Sequence, residues 1–415
     1  MQKKLVALAV AGALGGPTLV LAQTSTVQVY GTLYMEYTIR ADQGRNAAGL
    51  ERSDADFIQT PGSNIGFKGE EKLGGGLSAW FQCESTADVR GINQDGWCSR
   101  NSAVGLKGGF GNVFIGHWDT PFKRTISPPT VGGNDTGIFG TAFLLAGGST
   151  GTSWPGAGAG SAANAGRGIF KRRQNSSITY DSPNFGGFQA MAGFTASQPS
   201  TGTLDAANNS HPRVWSLGLQ YSAGPVYVSA GYERVKDANG PTTVPAGGAA
   251  TAREGDDSGW HIGAAYTWGP VRFGGVYTRQ EFELGTAAAP GELEVDAWMF
   301  GVDWKIAGPH GLRAAYVQVD DVDGTPGFGG IAGSGSIRPV VPAAGAPNDT
   351  GAKLWHIRYV YTFSKRTEFT AGFVKLSNDG SVASGGGAYR LGGLGAAVAP
   401  GNNEDAWAVA LRHRF

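Results

Sequence analysis

The residues equipped to act are charged side chains that recur on one face of a long series of alternating segments. Lys68, Arg100, Arg173, Arg272, Arg313 and Arg358 fall on the same face as Glu36 and Glu84, opposite the apolar residues. Side chains of both signs along one wall set up a local field that orients and sorts small ions and solutes. Hydrolysis asks for something else, a nucleophile or activated water beside His and a carboxylate or amide. The six histidines are scattered singly, and neither a Gly-x-Ser-x-Gly elbow nor a His-Glu-x-x-His pair is present. The expectation is a protein that is not an enzyme and needs no cofactor or metal.

Two cysteines, Cys83 and Cys98, complete the reactive groups. An exported compartment permits them to pair, and closing that loop contributes roughly 3 kcal/mol in the chain-entropy model. Cys83 shares parity with the apolar Leu77, Ala79 and Phe81, and Cys98 with Arg100. A bridge therefore requires one of them to lie beyond the regular strand; a free apolar Cys83 is the alternative.

The elements that position these groups are strands. The closing stretch sets the pattern, with Trp407, Val409, Leu411 and Phe415 on an oily side and Ala408, Ala410, Arg412 and Arg414 on a wet one. The same alternation begins at Val27 and recurs to give sixteen segments, interrupted by a long irregular stretch from Asp119 to about Lys171. Short connections such as Gly224-Pro225, Gly269-Pro270 and Gly308-Pro309 take turns with long polar ones. That asymmetry fits a transmembrane antiparallel β-barrel with short periplasmic turns and long extracellular loops. Aromatic residues gather at both strand ends, with Trp215, Trp260, Trp298 and Trp355 after long loops and Tyr221, Trp268 and Phe363 before short turns, as two interfacial girdles require.

Composition and the N-terminus bound the class. The 415 residues balance 33 basic against 33 acidic side chains, and no basic cluster with interleaved aromatics points to nucleic acid. Glycine, at 69 residues, is about twice its average share. Lys3 and Lys4, an apolar run from Leu5 to Leu21 and small residues ending at Ala22 read as a secretory signal over residues 1–22, leaving residues 23–415 as the barrel. Beyond that run no apolar stretch reaches the ~20 residues of a spanning helix, so a membrane crossing has to be a closed barrel.

Four stretches carry a family resemblance: Asn64 to Gln82 (NIGFKGEEKLGGGLSAWFQ), Arg100 to Gly111 (RNSAVGLKGGFG), Asn175 to Pro183 (NSSITYDSP) and the terminal Arg412-His-Arg-Phe415. Together they resemble the Gram-negative general diffusion porins, trimers of sixteen-stranded barrels. The resemblance implies that the third long loop, Asp119 to Lys171, folds into the pore. Asp119 and Asp135 are then its acids, facing Arg100 and Arg173 on the wall, with Lys68 and Asn64 nearby. Asn64 stands where the family usually has Arg. It further implies a homotrimer in outer-membrane lipid and a terminal Phe415 that addresses the chain to the barrel-assembly machinery. The function expected is passive diffusion of small ions and hydrophilic solutes through a water-filled outer-membrane channel. Lys123, Arg124 and Arg167 on the loop lean it toward anions. A solute-specific channel, for organic anions or phosphate, is the competing reading, and it predicts conductance that its substrate blocks.

Overall fold

The strands follow one another around a single antiparallel sheet. In a computed structural model, residues 27–42, 56–91, 96–133, 136–146, 170–195, 213–236, 256–286, 289–325, 349–380, 389, 391 and 401–415 are described. The proposed signal over residues 1–22, Asp135 and Arg167 lie outside them. The strands are β1 (Gln28–Asp42), β2 (Asp56–Gln59), β3 (Asn64–Gly74), β4 (Leu77–Thr86), β5 (Ser102–Gly108) and β6 (Gly111–Asp119). After the long loop come β7 (Arg173–Asp181), β8 (Phe188–Thr195), β9 (Arg213–Ala223), β10 (Val226–Lys236), β11 (Asp256–Trp268) and β12 (Val271–Thr286). The last are β13 (Ala289–Ala307), β14 (His310–Val319), β15 (Asp323–Thr325), β16 (Ala352–Thr362), β17 (Thr367–Asn378) and β18 (Glu404–Arg414).

Sixteen of these form the barrel. β2 and β15 are short extra pieces that pair only with the loop-side ends of β1 and β13. Closure is made by the chain's two ends, because β1 pairs with β18 on one edge and with β3 on the other. Phe415 and Gly31 exchange backbone hydrogen bonds of 3.2 and 3.1 Å at that seam. The Phe415 ring covers Gly31, where a β-carbon would collide with it. A closed sheet leaves no unpaired edge, the condition for placing strands in lipid.

The two faces separate as the alternation demands. Val104, Ile115, Leu217, Ile262, Phe300 and Trp407 stand outward and exposed, while Ala406, Ala408 and Ala410 face inward and are buried. At the loop-side girdle the rings touch from strand to strand: Phe373 with Trp407 at 4.8 Å, Trp355 with Phe373 at 5.4 Å and Trp298 with Tyr316 at 5.2 Å. At the opposite end the tight turns use glycine at positive φ, 55° at Gly224 and 53° at Gly269. β12 and β13, at 16 and 19 residues, exceed the ~9–11 residues that cross a membrane. Their hairpin therefore continues outward past the girdle.

Cys83 and Cys98 are joined by a disulfide, with their Cα atoms 4.7 Å apart. Cys83 sits on β4, while Cys98 lies outside the strands and takes φ 56°.

Candidate pore constriction

The loop after β6 turns into the barrel and lies along one wall. Its first element is α1 (Pro121–Ile126), capped by Thr120, whose hydroxyl accepts from the Lys123 backbone N–H at 3.3 Å, with Pro121 opening the first turn. Phe122 and Ile126 bury their side chains. The helix is pinned to the wall by polar contacts: the Phe122 N–H donates to Ser216 Oγ at 3.0 Å, Ser229 Oγ donates to the Thr125 carbonyl at 2.7 Å, and Thr125 Oγ1 meets His261 Nε2 at 3.0 Å. Further on, Arg358 donates to the Gly132 carbonyl at 2.9 Å, and its guanidinium lies 5.2 Å from the centre of the Phe139 ring. Gln280 donates to the Leu145 carbonyl at 3.1 Å. At the far side Glu36 accepts from the Ile138 N–H at 3.1 Å and from Tyr34 Oη at 2.7 Å, with Thr38 and Gln59 as further donors.

The wall makes room for this loop by omitting side chains. Gly193 on β8, Gly218 on β9, Gly231 on β10, Gly263 on β11, Gly274 on β12 and Gly301 on β13 all point inward beneath it. A β-carbon at Gly193 would stand 3.0 Å from Pro121, one at Gly218 would stand 2.8 Å from Thr125, and one at Gly263 would stand 2.6 Å from Pro129. At Gly274 and Gly301 it would run into Pro129 and Val131. The six strands are successive neighbours, and Gly218 and Gly231, like Gly274 and Gly301, are paired in register. The glycines thus form a gutter that descends across the wall. Each costs sheet stability on its own, and the gutter accommodates the loop backbone. Its signal was present in the sequence as glycine at inward parity on six consecutive strands.

Two expected pore-lining residues take other roles. Glu36 is fully buried and Arg358 is nearly so, because the loop covers both. They hold the loop instead of lining the water. Arg272 remains exposed and donates to the Pro128 carbonyl at 3.3 Å. Arg313 pairs with Asp303 at 3.1 Å and with Glu368 at 3.6 Å, and Arg412 joins Glu368 at 2.6 Å.

Across from the gutter the charges face one another. Arg100 pairs with Glu84 at 2.6 Å, and Tyr30 donates to the same carboxylate at 3.1 Å. Asp119 receives Lys123 at 2.7 Å, Arg173 at 3.3 Å and the Asn101 amide at 3.1 Å. Arg124 reaches from α1 to Asp181 on β7 through two bonds of 2.7 and 2.9 Å, a bidentate pair not anticipated from the sequence. Lys68 is exposed, 5.0 Å from the centre of the Tyr30 ring. Asn64 is half-buried and spends its amide on the Gly62 carbonyl at 3.0 Å. Among the described residues this passage therefore sets Lys68, Arg100, Lys123, Arg124 and Arg173 against Glu84, Asp119 and Asp181. Behind it Arg172 pairs with Glu233 at 2.9 Å in a buried bridge. Burial also pushes the ammonium of Lys171, on the returning loop, down to about 7; Lys123 acts in the same sense and Asp119 opposes.

The family described as Gram-negative porin matches residues 6–381. Over 417 residues the chain is 28% identical to outer membrane porin protein 32 of Delftia acidovorans, covering 100% of both. Among solved structures, the fold is similar to an anion-selective porin from Comamonas acidovorans, with TM-score 0.67, 22% identity and coverage of 94% of this chain and 100% of that one. It is also similar to a trimer form of OmpT from Vibrio cholerae, with TM-score 0.59, 16% identity and coverage of 95% and 100%. A closed barrel with an oily exterior, a loop laid across a charged lumen and this family match lead to one conclusion: the chain is a Gram-negative porin, a passive channel of the outer membrane.

Proposed function

We propose that the channel passes small anions more readily than cations, and that Lys68, Arg100, Lys123, Arg124 and Arg173 set this preference. The observation that carries the reading is their excess over Glu84, Asp119 and Asp181 where the loop narrows the lumen. Fixed charge beside a narrow passage raises the local concentration of the counter-ion. The Comamonas acidovorans neighbour, described as an anion-selective porin, supports the same reading.

The assembled channel in this reading is a homotrimer, as the trimer form of the Vibrio cholerae neighbour suggests. Residues 1–22 are removed on export, and Phe415 serves as the address for the barrel-assembly machinery. Asp135 adds an acid to the loop. Small inorganic ions diffuse through without a dedicated binding step, so conductance rises in proportion to bulk salt.

The test is reversal potential across a planar bilayer holding the purified protein, with potassium chloride at different concentrations on the two sides. The expected sign is that of chloride preference. Cation preference overturns the proposal, and a conductance negligible in potassium chloride but carried and saturated by one organic anion or by phosphate favours the solute-specific alternative.

A further inference from the structure

The lumen carries an aromatic patch that anion preference does not use. Trp80 on β4, Phe114 on β6 and Trp118 on β6 pack tilted or edge to face, with ring centres 5.4, 5.7 and 5.2 Å apart and interplanar angles of 59°, 71° and 66°. Their neighbours Phe81, Val104, Val113 and Ile115 face outward and are exposed, so the alternation turns Trp80 and Phe114 inward. Gly105 lies between them on β5, and a β-carbon there would meet both Trp80 and Phe114. The patch therefore rests on a further glycine-thinned strand of the inner wall, β5. Phe114 is buried at its base, while Trp80 and Trp118 remain partly exposed.

Charge surrounds this patch unevenly. Glu70 is the register partner of Trp80, and it holds both Lys72 and Lys107. Lys68 lies one inward position further along β3. Trp80 Nε1 donates to Asn112 Oδ1 at 2.7 Å, and Asn112 is opposite Asp181, which Arg124 holds. Lys68, Lys72, Lys107 and Arg124 thus surround the Trp80 side of the patch, where Glu70 and Asp181 pair with three of them and leave an excess of positive charge. An aromatic corner of two indoles set at 71° and rimmed by cations suits a planar ring that lies on one indole with its edge toward the other and carries a negative charge at one end.

We propose that Trp80 and Trp118 form a subsite for planar aromatic monocarboxylates, beside the root of the constricting loop. The aromatic ring lies against the indoles, and the carboxylate points toward the flanking ammonium and guanidinium groups. A saturated ring of the same charge and similar size gains less from these indoles than a planar one, since aromatic–aromatic pairs in edge-to-face or offset geometry add an attraction beyond the apolar area they bury. The subsite rests on the anion-preferring reading, because a cation-preferring lumen would exclude such solutes.

The test is single-channel current in potassium chloride with sodium benzoate added, beside cyclohexanecarboxylate as the non-planar control. Benzoate is expected to reduce the chloride current at roughly five- to tenfold lower concentration than the control. Trp118→Leu should remove that difference, and Trp80→Phe should reduce it. Both variants are first checked for the heat-modifiable migration of a folded barrel, and Trp80→Phe keeps a ring in the wall should Trp118→Leu fail to fold. Equal effects of the two acids, or a benzoate effect unchanged in both variants, overturn the subsite. Reversal potential in potassium chloride alone reports anion preference separately, and its sign should not change in either variant.

Discussion

Arg358 and Arg100 both face the inside of the barrel, yet only one of them meets water. Arg358 is 3% exposed, capped by the Gly132 carbonyl and the Phe139 ring, whereas the Arg100 side chain keeps 23% of its surface beside Glu84. The difference follows from the wall on which each stands. From β8 to β13 the inner surface is a glycine gutter with buried anchors, Arg358 on β16 adds another beyond it, and the loop lies across them. From β3 to β7 the inner surface keeps its charges and its rings in the passage. Identical side chains therefore hold a loop on one wall and set an electrostatic field on the other. An inward position says only that lipid is excluded; what covers the residue decides its role.

The comparison is broken most severely by filling the gutter. Gly301→Val places bulk against the Val131 carbonyl, and overpacking of this kind costs about 1–3 kcal/mol. The expected outcome is a lower melting temperature and a reduced unitary conductance, as the loop is lifted toward the axis. Gly275→Val, one residue from Gly274 and on the lipid face, should leave conductance unchanged. Glu36→Ala comes next. It strips the acceptor from the Ile138 N–H and from Tyr34, a loss of about 1–3 kcal/mol for buried groups left unsatisfied. Open-channel recordings should show more current noise at an unchanged reversal sign, because the loop loses its far anchor while the charges stay.

The smallest effect is a pH step. Lys171 holds its proton only up to about 7, so its charge disappears as pH rises through neutrality. Anion preference should decline slightly between about pH 6 and about pH 8, and Lys171→Met should remove the decline. The sign for stability is the reverse. The unfolded chain keeps this lysine protonated to about pH 10.4, so it binds more protons than the barrel above about 7. Stability contributed by this group therefore increases with pH across that window.

Much of the barrel was legible in the chain because alternation encodes it directly. Trp407, Val409 and Leu411 stand outward as their spacing requires, and β1 meets β18 as closure requires. The constriction was legible only in part. Arg100, Arg173 and Asp119 fall in one charged cluster, since a charge at a wall position has few places to go. Glu36 and Arg358 could not be told from lumen residues, because the loop that buries them comes from a distant part of the chain without periodicity. The Arg124 to Asp181 pair was hidden for the same reason, as it joins α1 to β7 across an irregular loop. Inward glycines were the signal that a backbone passes close by, and they identify the covered wall.

The two-wall account is tested most directly by measuring reversal potential in a potassium chloride gradient for Arg100→Ala beside Arg358→Ala. Arg100→Ala removes a cation from the passage and leaves Glu84 unopposed by it, so the potential should shift clearly toward cations. Arg358→Ala removes a cation that the loop already covers, and it should raise current noise with little change in potential. Equal shifts from the two variants, or a larger shift from Arg358→Ala, would contradict the division of the inner surface into a loop-bearing wall and a charge-bearing one.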